Sequence, residues 1–343
     1  MTYRFAPDVP SDGVAGRCSV VVVHYRGVED LRRCAESVLA DPDDVELIVV
    51  DNGSEDRGAA QLDDDPRLRR VLLPTNRGFA AGANAGLEVA SGELVLLLNP
   101  DATLRPGALG ALRVALDDAD VAVPAVVLAD DPDRLDSAGH VLFPDGLNLC
   151  RGRGEPVREH RDLDGVVLFS GAAVALRRSA LARIGGLDEG FWAYGEDVDL
   201  ALRVARAGLR VAWVPEAVVT HRVGGSFGRF PLRKAFLVER NRARVALAHL
   251  PASWLVAAPV WTAARVLGLG VRGAAGQGLA GGFEPRARAL LPVAVGLAWA
   301  AALLGAPGSL ARRRALGPMT PAYRARLADA RVGLGPLLRR GRL

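Results

Sequence analysis

The sequence predicts an α/β fold on a mostly parallel sheet, and three observations carry that expectation. Apolar, β-branched runs alternate with segments of helical spacing, the runs end on polar residues, and the cycle repeats at an interval that strand–helix–strand units fit. The first run, "CSVVVVHY" from Cys18, is continuous enough for a strand buried on both faces. "VEDLRRCAESVLA" follows with helical spacing, and "VELIVVDNGS" restarts the cycle. "LRRVLLPTN" opens a third unit, "GFAAGANAGLEVA" supplies its helix and "ELVLLLNPD" the next strand. Crossovers between such strands are right-handed, and ligands of open α/β sheets collect at the strands' carboxyl ends. Here those ends read "HY" at His24, "DNGS" at Asp51 and "NPD" at Asn99, so three strand ends face one crevice.

A later block, "VVLFSGAAVALRRSALARIGGLDEGFWAYGEDVDL" and "RVAWVPEAVVTH", mixes strands and helices. Between the blocks, "PDGLNLCRGRGEPVREHRDLDG" is polar and glycine-rich and reads as a long, mobile loop. Beyond residue 244 the composition changes. Residues 245–264 and 289–311 contain no Asp, Glu, Lys or Arg, and the second run leads into Arg312, Arg313 and Arg314. Each is about 20 residues, long enough to span a bilayer. Pro251, Pro259, Pro292, Pro307 and His249 weaken them as spans, so helices lying on or dipping into a membrane surface are expected.

The chain of 343 residues is half hydrophobic, enough for a core, and its 43 basic against 39 acidic residues leave a formal charge of +4. That charge suits phosphates or an anionic membrane face, but no basic–aromatic interleaving marks a nucleic-acid binder. Cys18, Cys34 and Cys150 are odd in number and outside any C-x-x-C pattern, so neither a disulfide framework nor a zinc site is indicated. The first 17 residues lack the apolar stretch of a signal peptide, so a reducing, cytoplasmic setting is expected.

Four clusters could carry chemistry. Asp51 precedes Asn-Gly, so it either caps a turn or accepts a hydrogen bond from a ligand amide such as a pyrimidine N–H. Asn99, Pro100 and Asp101 end an apolar strand, either as a favourable turn or with a carboxylate placed to hold a hard cation. In "NRGFAAGANAG", Gly78, Gly82 and Gly86 lie four apart, which lets a helix pack closely or its N–H groups approach a phosphate. The dinucleotide fingerprint is absent after the first strand, which disfavours a nicotinamide enzyme. The fourth cluster is "FWAYGEDVDL". Acids in a first helical turn compensate the macrodipole, but that does not explain Phe191, Trp192 and Tyr194 just ahead of Glu196 and Asp197. Aromatic faces beside carboxylates suit sugar binding, and one carboxylate there can act as general base. His221, ending "AVVTH", is either structural or a metal or phosphate ligand.

Taken in order, "SVVVVHY", "VVDNGS", "NRGFAAGANAG", "NPD", "SGAAVALRRSAL", "GGLDEGFWAYGEDVDL" and "VPEAVVTH" resemble the family-2 glycosyltransferases of the GT-A fold, in particular the bacterial rhamnosyltransferase-like branch. The resemblance implies a GT-A catalytic domain over residues 18–243, with a donor half at 18–125 and an acceptor half at 126–243, between an extension at 1–17 and an apolar, basic helical region at 244–343. It implies that Asp51 binds the base, and that Asn99 and Asp101 occupy the D-x-D position. Asp101 then holds Mg2+ or Mn2+ with His221, and Asp197 is the base. Gly171 and Ala172 line the acceptor side, while Trp192 and Glu196 shape the sugar pocket. His24, Tyr25, Asn76, Arg77, Gly78 and Asn84 complete the expected donor-nucleotide set with Asp51 and Asn99. Asn99 departs from the family pattern by replacing the first acid of the pair.

The implied reaction is a single inverting displacement from a nucleoside-diphosphate sugar, with deoxythymidine-diphosphate rhamnose the leading donor. The acceptor is a hydroxyl of a glycan or polyprenyl-linked sugar at the cytoplasmic face of the inner membrane. A catalytically silent sugar-nucleotide or glycan binder on the same scaffold is the alternative, and the retained Asp101 and Asp197 argue against it. A nucleotidyltransferase would carry a Gly- and Lys-rich phosphate loop near the first strand, and none is present.

Overall fold

A computed structural model describes residues 13–42, 44–163, 165–222, 232–274 and 285–333. The chain forms two compact units, one from described residues 13–139 and 150–222, the other from 140–149 and 232–333.

The larger unit is built on a nine-stranded sheet. β1 (Val14–His24), β2 (Val45–Asn52), β3 (Leu68–Leu73) and β4 (Gly92–Leu98) are parallel and ordered β3-β2-β1-β4. Next to β4 come β10 (Ala173–Arg177), β6 (Val121–Leu128), β11 (Val211–His221) and β5 (Ala102–Leu104), with β7 (Leu135–Ser137) paired to β6. β10 is antiparallel to both β4 and β6, so β6 and β11 run in the direction of the first four strands, and only β10, β5 and β7 are reversed. The expected mostly parallel sheet is therefore present, as one sheet shared by both halves. β6 crosses the 125/126 line between them.

The expected spacing buries helices on this sheet. α1 (Val28–Leu39) buries Leu31, Cys34, Ala35 and Val38, one stripe at the 3.6-residue period. They join Val20, Val22, Leu47, Val49, Leu96 and Leu98 in the core, with Leu109 and Leu112 of α3 (Ala108–Asp118). On the sheet's other face, α2 (Phe79–Val89) packs closer than side chains permit: a Cβ at Gly82 would lie 2.6 Å from Val23 Cγ1, and one at Gly86 2.4 Å from Val21 Cγ1. The four-residue glycine spacing is thus used for close helix–strand contact. α4 (Arg178–Ile184) and α5 (Glu196–Arg206) complete the unit.

The polar stretch read as a long loop carries structure. It holds β9 (Asn148–Cys150), which pairs in a hairpin with β8 (His140–Leu142) just ahead of the stretch, and a 3-10 turn at Val157–His160, where the Trp213 indole donates to the His160 carbonyl at 2.9 Å. Asp164 lies outside the described residues.

The smaller unit comprises residues 140–149 of that hairpin with α6 (Leu232–His249), α7 (Ala252–Ala274), α8 (Pro285–Leu304), α9 (Ala306–Ala315) and α10 (Pro321–Ala330). The boundary expected at residue 243 falls inside α6. That helix belongs to the smaller unit because its buried Glu239 and Arg242 pair there. Arg265 bridges Glu239 at 2.7 Å and Asp145 at 2.9 Å, and Arg242 reaches Glu239 at 3.0 Å. Phe143 and Leu147 form its apolar centre against Val238 and Val332. Pro251 separates α6 from α7, splitting the first of the two uncharged runs. Among the described residues no single helix is long and apolar enough to cross a membrane, but Ala289–Leu304 and Ala306–Ala315, bent by 52°, pass that test as a pair. Residues 1–12, 223–231, 275–284 and 334–343 of the expected regions lie outside the described residues.

Candidate active site

The carboxyl ends of β1, β2 and β4 meet at one edge, as the strand pattern requires, with His24 in register with Asp51 and Val22 with Leu98. His24 is fully buried, and its Nε2 lies 2.8 Å from Asp56 Oδ1. Burial alone would raise the Asp56 carboxyl, but the His24 hydrogen bond and charge, with Ser54 and Gly58, bring it below the usual range. Tyr25, half-buried beyond His24, carries the Arg26 guanidinium 5.1 Å from its ring centroid. Asp51 is buried and caps its turn, accepting from the Ser54 N–H and hydroxyl at 2.8 Å each. Each oxygen keeps a second lone pair, so the capping role and a ligand contact are compatible.

The N-R-G segment ahead of α2 is held by Asn52, whose role carries no signal within "DNGS" because its partners lie 25 and 26 residues away. Its Oδ1 accepts from the Arg77 N–H at 3.0 Å, and its amide donates to the Gly78 carbonyl at 3.0 Å. Asn76 Oδ1 accepts from the Gly78 N–H at 2.9 Å. Arg77 reaches Glu189 at 3.3 Å. Asn84 is buried on α2, and both ends of its amide engage Leu187: the Leu187 N–H donates at 2.8 Å and the Leu187 carbonyl accepts at 2.9 Å.

The end of β4 meets that of β11. Asp101 Oδ1 lies 3.1 Å from His221 Nε2, and His221 Nδ1 lies 2.8 Å from Asp136 Oδ2 on β7. Burial would lower the His221 pKa, but hydrogen bonds and charge from Asp101 and Asp136 outweigh it and push the value up to about 10. Arg153 sits 3.4 Å from the other Asp136 oxygen. Asn99 Nδ2 approaches His221 Nε2 at 3.5 Å, and the Asn99 N–H donates to the Ala172 carbonyl at 2.9 Å. The neighbouring Gly171 N–H donates to Asp197 Oδ2 at 2.9 Å, so hydrogen bonds tie the β4 end through residues 171–172 to α5.

The approach to α5 is bent against preference. Trp192 and Tyr194 have φ of +66° and +67°, and Gly195, the N-cap, +91°. A non-glycine residue held in such a region costs about 1–3 kcal/mol and persists only where its surroundings fix it. Those surroundings include α2. The Ala80 N–H donates to the Trp192 carbonyl at 3.2 Å, and a Cβ on Gly78 (φ +89°) would sit 2.5 Å from that carbonyl oxygen and 2.7 Å from the indole ring. The turn presents Glu196, Asp197 and Asp199 in the first turn of α5. Asp199 is buried and paired with Arg203 at 3.0 Å, whereas Asp197 is half-buried. Burial, then the charges of Glu196 and Asp101, hold the Tyr194 phenol well above its usual pKa, which places this ring among the site's acids.

Asp101 and His221 could share a divalent cation only with His221 Nε2 deprotonated, because the two flanking carboxylates otherwise keep the imidazole charged and Nε2 bonded to Asp101. Adjacent ligands bound at about 2.1 Å and a right angle stand roughly 3 Å apart, close to the 3.1 Å seen. The Asp136 bond to the far nitrogen is the carboxylate–histidine support usual behind metal-ligating histidines. Among the described residues no three His, Cys, Asp or Glu side chains converge on one metal position, so an ion here would depend on donor oxygens for the rest of its coordination. Asp136, Asp56 and Glu189 escaped sequence reading because each meets its partner across at least 32 residues of chain.

Comparison with known proteins identifies the family. Residues 19–185 match glycosyl transferase family 2, and residues 155–303 match glycosyl transferase family group 2. N-acetylglucosaminyl-diphospho-decaprenol L-rhamnosyltransferase of Mycobacterium tuberculosis is 30% identical over 272 residues, covering 71% of this chain and 88% of the relative. Pre-mycofactocin glycosyltransferase of the same organism is 32% identical over 237 residues, 66% of this chain and 47% of its own length. The crystal structure of GalNAc-T7 with UDP, GalNAc and Mn2+ superposes with a TM-score of 0.54 at 15% identity, covering 67% of this chain and 47% of that one, a likeness of fold. With a GT-A-like sheet, a polar crevice at its strand ends and a relative matched over most of its length, the chain belongs to glycosyl transferase family 2.

Proposed function

We propose that this glycosyltransferase moves a sugar from a nucleoside-diphosphate donor to a hydroxyl of a polyprenyl-linked or related cell-envelope glycan acceptor, inverting the anomeric carbon in one displacement. The observation that carries the reading is the placement of Asp197: half-buried in the first turn of α5 and oriented by the Gly171 N–H, on a backbone tied through Ala172 to Asn99 beside Asp101. A carboxylate held in this way by the Gly171 N–H is placed to take a proton from an acceptor hydroxyl. Gly171 and Ala172 border the acceptor side, and Trp192, Tyr194 and Glu196 frame the sugar. On the donor half, Asp51 receives the base, with Tyr25, Asn76, Arg77 and Asn99 around the nucleotide. His24, buried against Asp56, acts by shaping this edge.

Asp101 and His221 would hold Mg2+ or Mn2+, which when bound would supply neutralising charge to the diphosphate leaving group. The relative's name supports rhamnose as the sugar and a polyprenyl diphosphate as the carrier, and the resemblance of the motifs supports deoxythymidine diphosphate as the nucleotide. The exposed Val256, Val260 and Leu267 on α7 and Leu290, Val293, Leu297 and Leu303 on α8 support contact with the cytoplasmic face of the membrane, where such a carrier resides.

The test is thermal stabilisation of the purified protein by a panel of nucleoside diphosphates with and without Mn2+. Ligand at a hundredfold its Kd adds about 2.7 kcal/mol, a rise on the order of 5 °C in Tm. The reading expects that rise with deoxythymidine diphosphate and Mn2+ together. No response to any nucleotide would remove the donor assignment and leave a silent glycan-binding scaffold.

A further inference from the structure

We infer that Asn84 is a positioning residue, which locks the loop between α4 and α5 onto the glycine helix α2 and thereby fixes Asp197 relative to the donor side; this rests on the reading of Asp197 as the base. Asn84 is 1% exposed, and its amide pairs reciprocally with the Leu187 backbone, donating to the carbonyl at 2.9 Å and accepting from the N–H at 2.8 Å. A third bond runs from the same amide to Glu189 Oε1 at 3.2 Å, and Glu189 is held in turn by Arg77. A side chain spent in this way has little left for a nucleotide, although it lies in the glycine-rich motif that otherwise suggests one.

The adjoining backbone is held from the opposite side by the helix that bears the base. Arg203 of α5, buried and paired with Asp199, donates to the carbonyls of Ile184 at 2.6 Å, Gly185 at 3.0 Å and Gly186 at 2.7 Å. Residues 186 and 187 are consecutive, so two buried side chains clamp one stretch of backbone, Arg203 from α5 and Asn84 from α2. Asp197 and Arg203 lie six positions apart on one helix, and the path from 187 to 197 passes through the positive-φ residues Trp192, Tyr194 and Gly195. Ala80 and Gly78 grip Trp192 from the same helix that carries Asn84. Without the Asn84 pair the bent turn keeps its unfavourable torsions and loses a principal restraint. The consequence is a loosened α5 N-terminus and a misplaced base, and positioning errors of about 1 Å cost on the order of a hundredfold in rate.

The experiment uses the full chain carrying Asn84→Asp, an isostere that still accepts from the Leu187 N–H but cannot donate to its carbonyl, and Asn84→Ala. Hydrogen–deuterium exchange is followed in peptides covering 187–197 and in the β1 and β4 peptides. Affinity for deoxythymidine diphosphate with Mn2+ is measured alongside. The clamp predicts at least tenfold faster exchange in 187–197 with the sheet unchanged, and nucleotide affinity within twofold of wild type. Unchanged exchange together with a tenfold loss of nucleotide affinity would make Asn84 a donor ligand and overturn the proposal. Turnover, with deoxythymidine-diphosphate rhamnose and N-acetylglucosaminyl-diphospho-decaprenol as probes, should show kcat at least tenfold lower and donor KM unchanged. Wild-type activity in an Asp197→Asn control would remove the base assignment alone, since exchange at 187–197 is read without turnover.

Discussion

At Gly78 one hydrogen atom does what no side chain can. The residue sits at φ +89° with the Trp192 carbonyl 2.5 Å from where a Cβ would be, and that neighbour is backbone, already in a strained turn. Gly78→Ala is therefore expected to destabilise the protein by about 1–3 kcal/mol, read as a lower urea midpoint at unchanged m. An unchanged midpoint would mean that the Trp192 turn is not held where it lies. Residues whose chemistry depends on a strand end were legible from sequence: Asp51, Asn99, Asp101 and His221 all fall where the apolar runs stop. Asp136 was not, because its three-residue strand carries no periodic signal and its importance arises only from the fold's pairing with His221. Asn84 stands out in sequence by its motif, whereas its partner is backbone 103 residues away, a pairing no local pattern encodes.

At the scale of elements, the parallel half was readable because buried strands are continuous apolar runs and α1 keeps a clean stripe. α6 was misdivided since charged residues normally face water, whereas here Glu239 and Arg242 turn inward to meet Arg265 and Asp145. Burial would raise the Glu239 carboxyl, but Arg265 and Arg242 outweigh it and bring it down to about 2. A carboxyl lowered in the folded state stabilises above its unfolded pKa near 4.5, and that contribution is lost as pH falls toward 2. Up to about 3 kcal/mol is involved. Calorimetric Tm should therefore fall more steeply below pH 4.5 in wild type than in Glu239→Gln. At pH 7 the variant should be the less stable by about 3–5 kcal/mol, because two buried arginines lose a partner. Equal acid slopes would show that this pair does not set the acid limb.

For the whole molecule, the smaller unit exposes apolar faces on α7 and α8 that a lipid surface would cover. Val260, Leu297 and Leu303 are 73%, 59% and 75% exposed, an unusual cost for a surface that meets only water. Replacing all three by Ser should cut co-flotation with anionic vesicles at least tenfold, since each aliphatic side chain buried in an interface contributes about 1.5–3 kcal/mol. Flotation absent in wild type, or unaffected by the triple change, would contradict a membrane role for these faces. The central claim, however, is that Asp197 is the base, and the most direct measurement is single-turnover transfer by Asp197→Asn with nucleotide binding measured on the same preparation. The account predicts a rate lower by about 10²–10⁴-fold with deoxythymidine-diphosphate affinity intact. Transfer at the wild-type rate would contradict it.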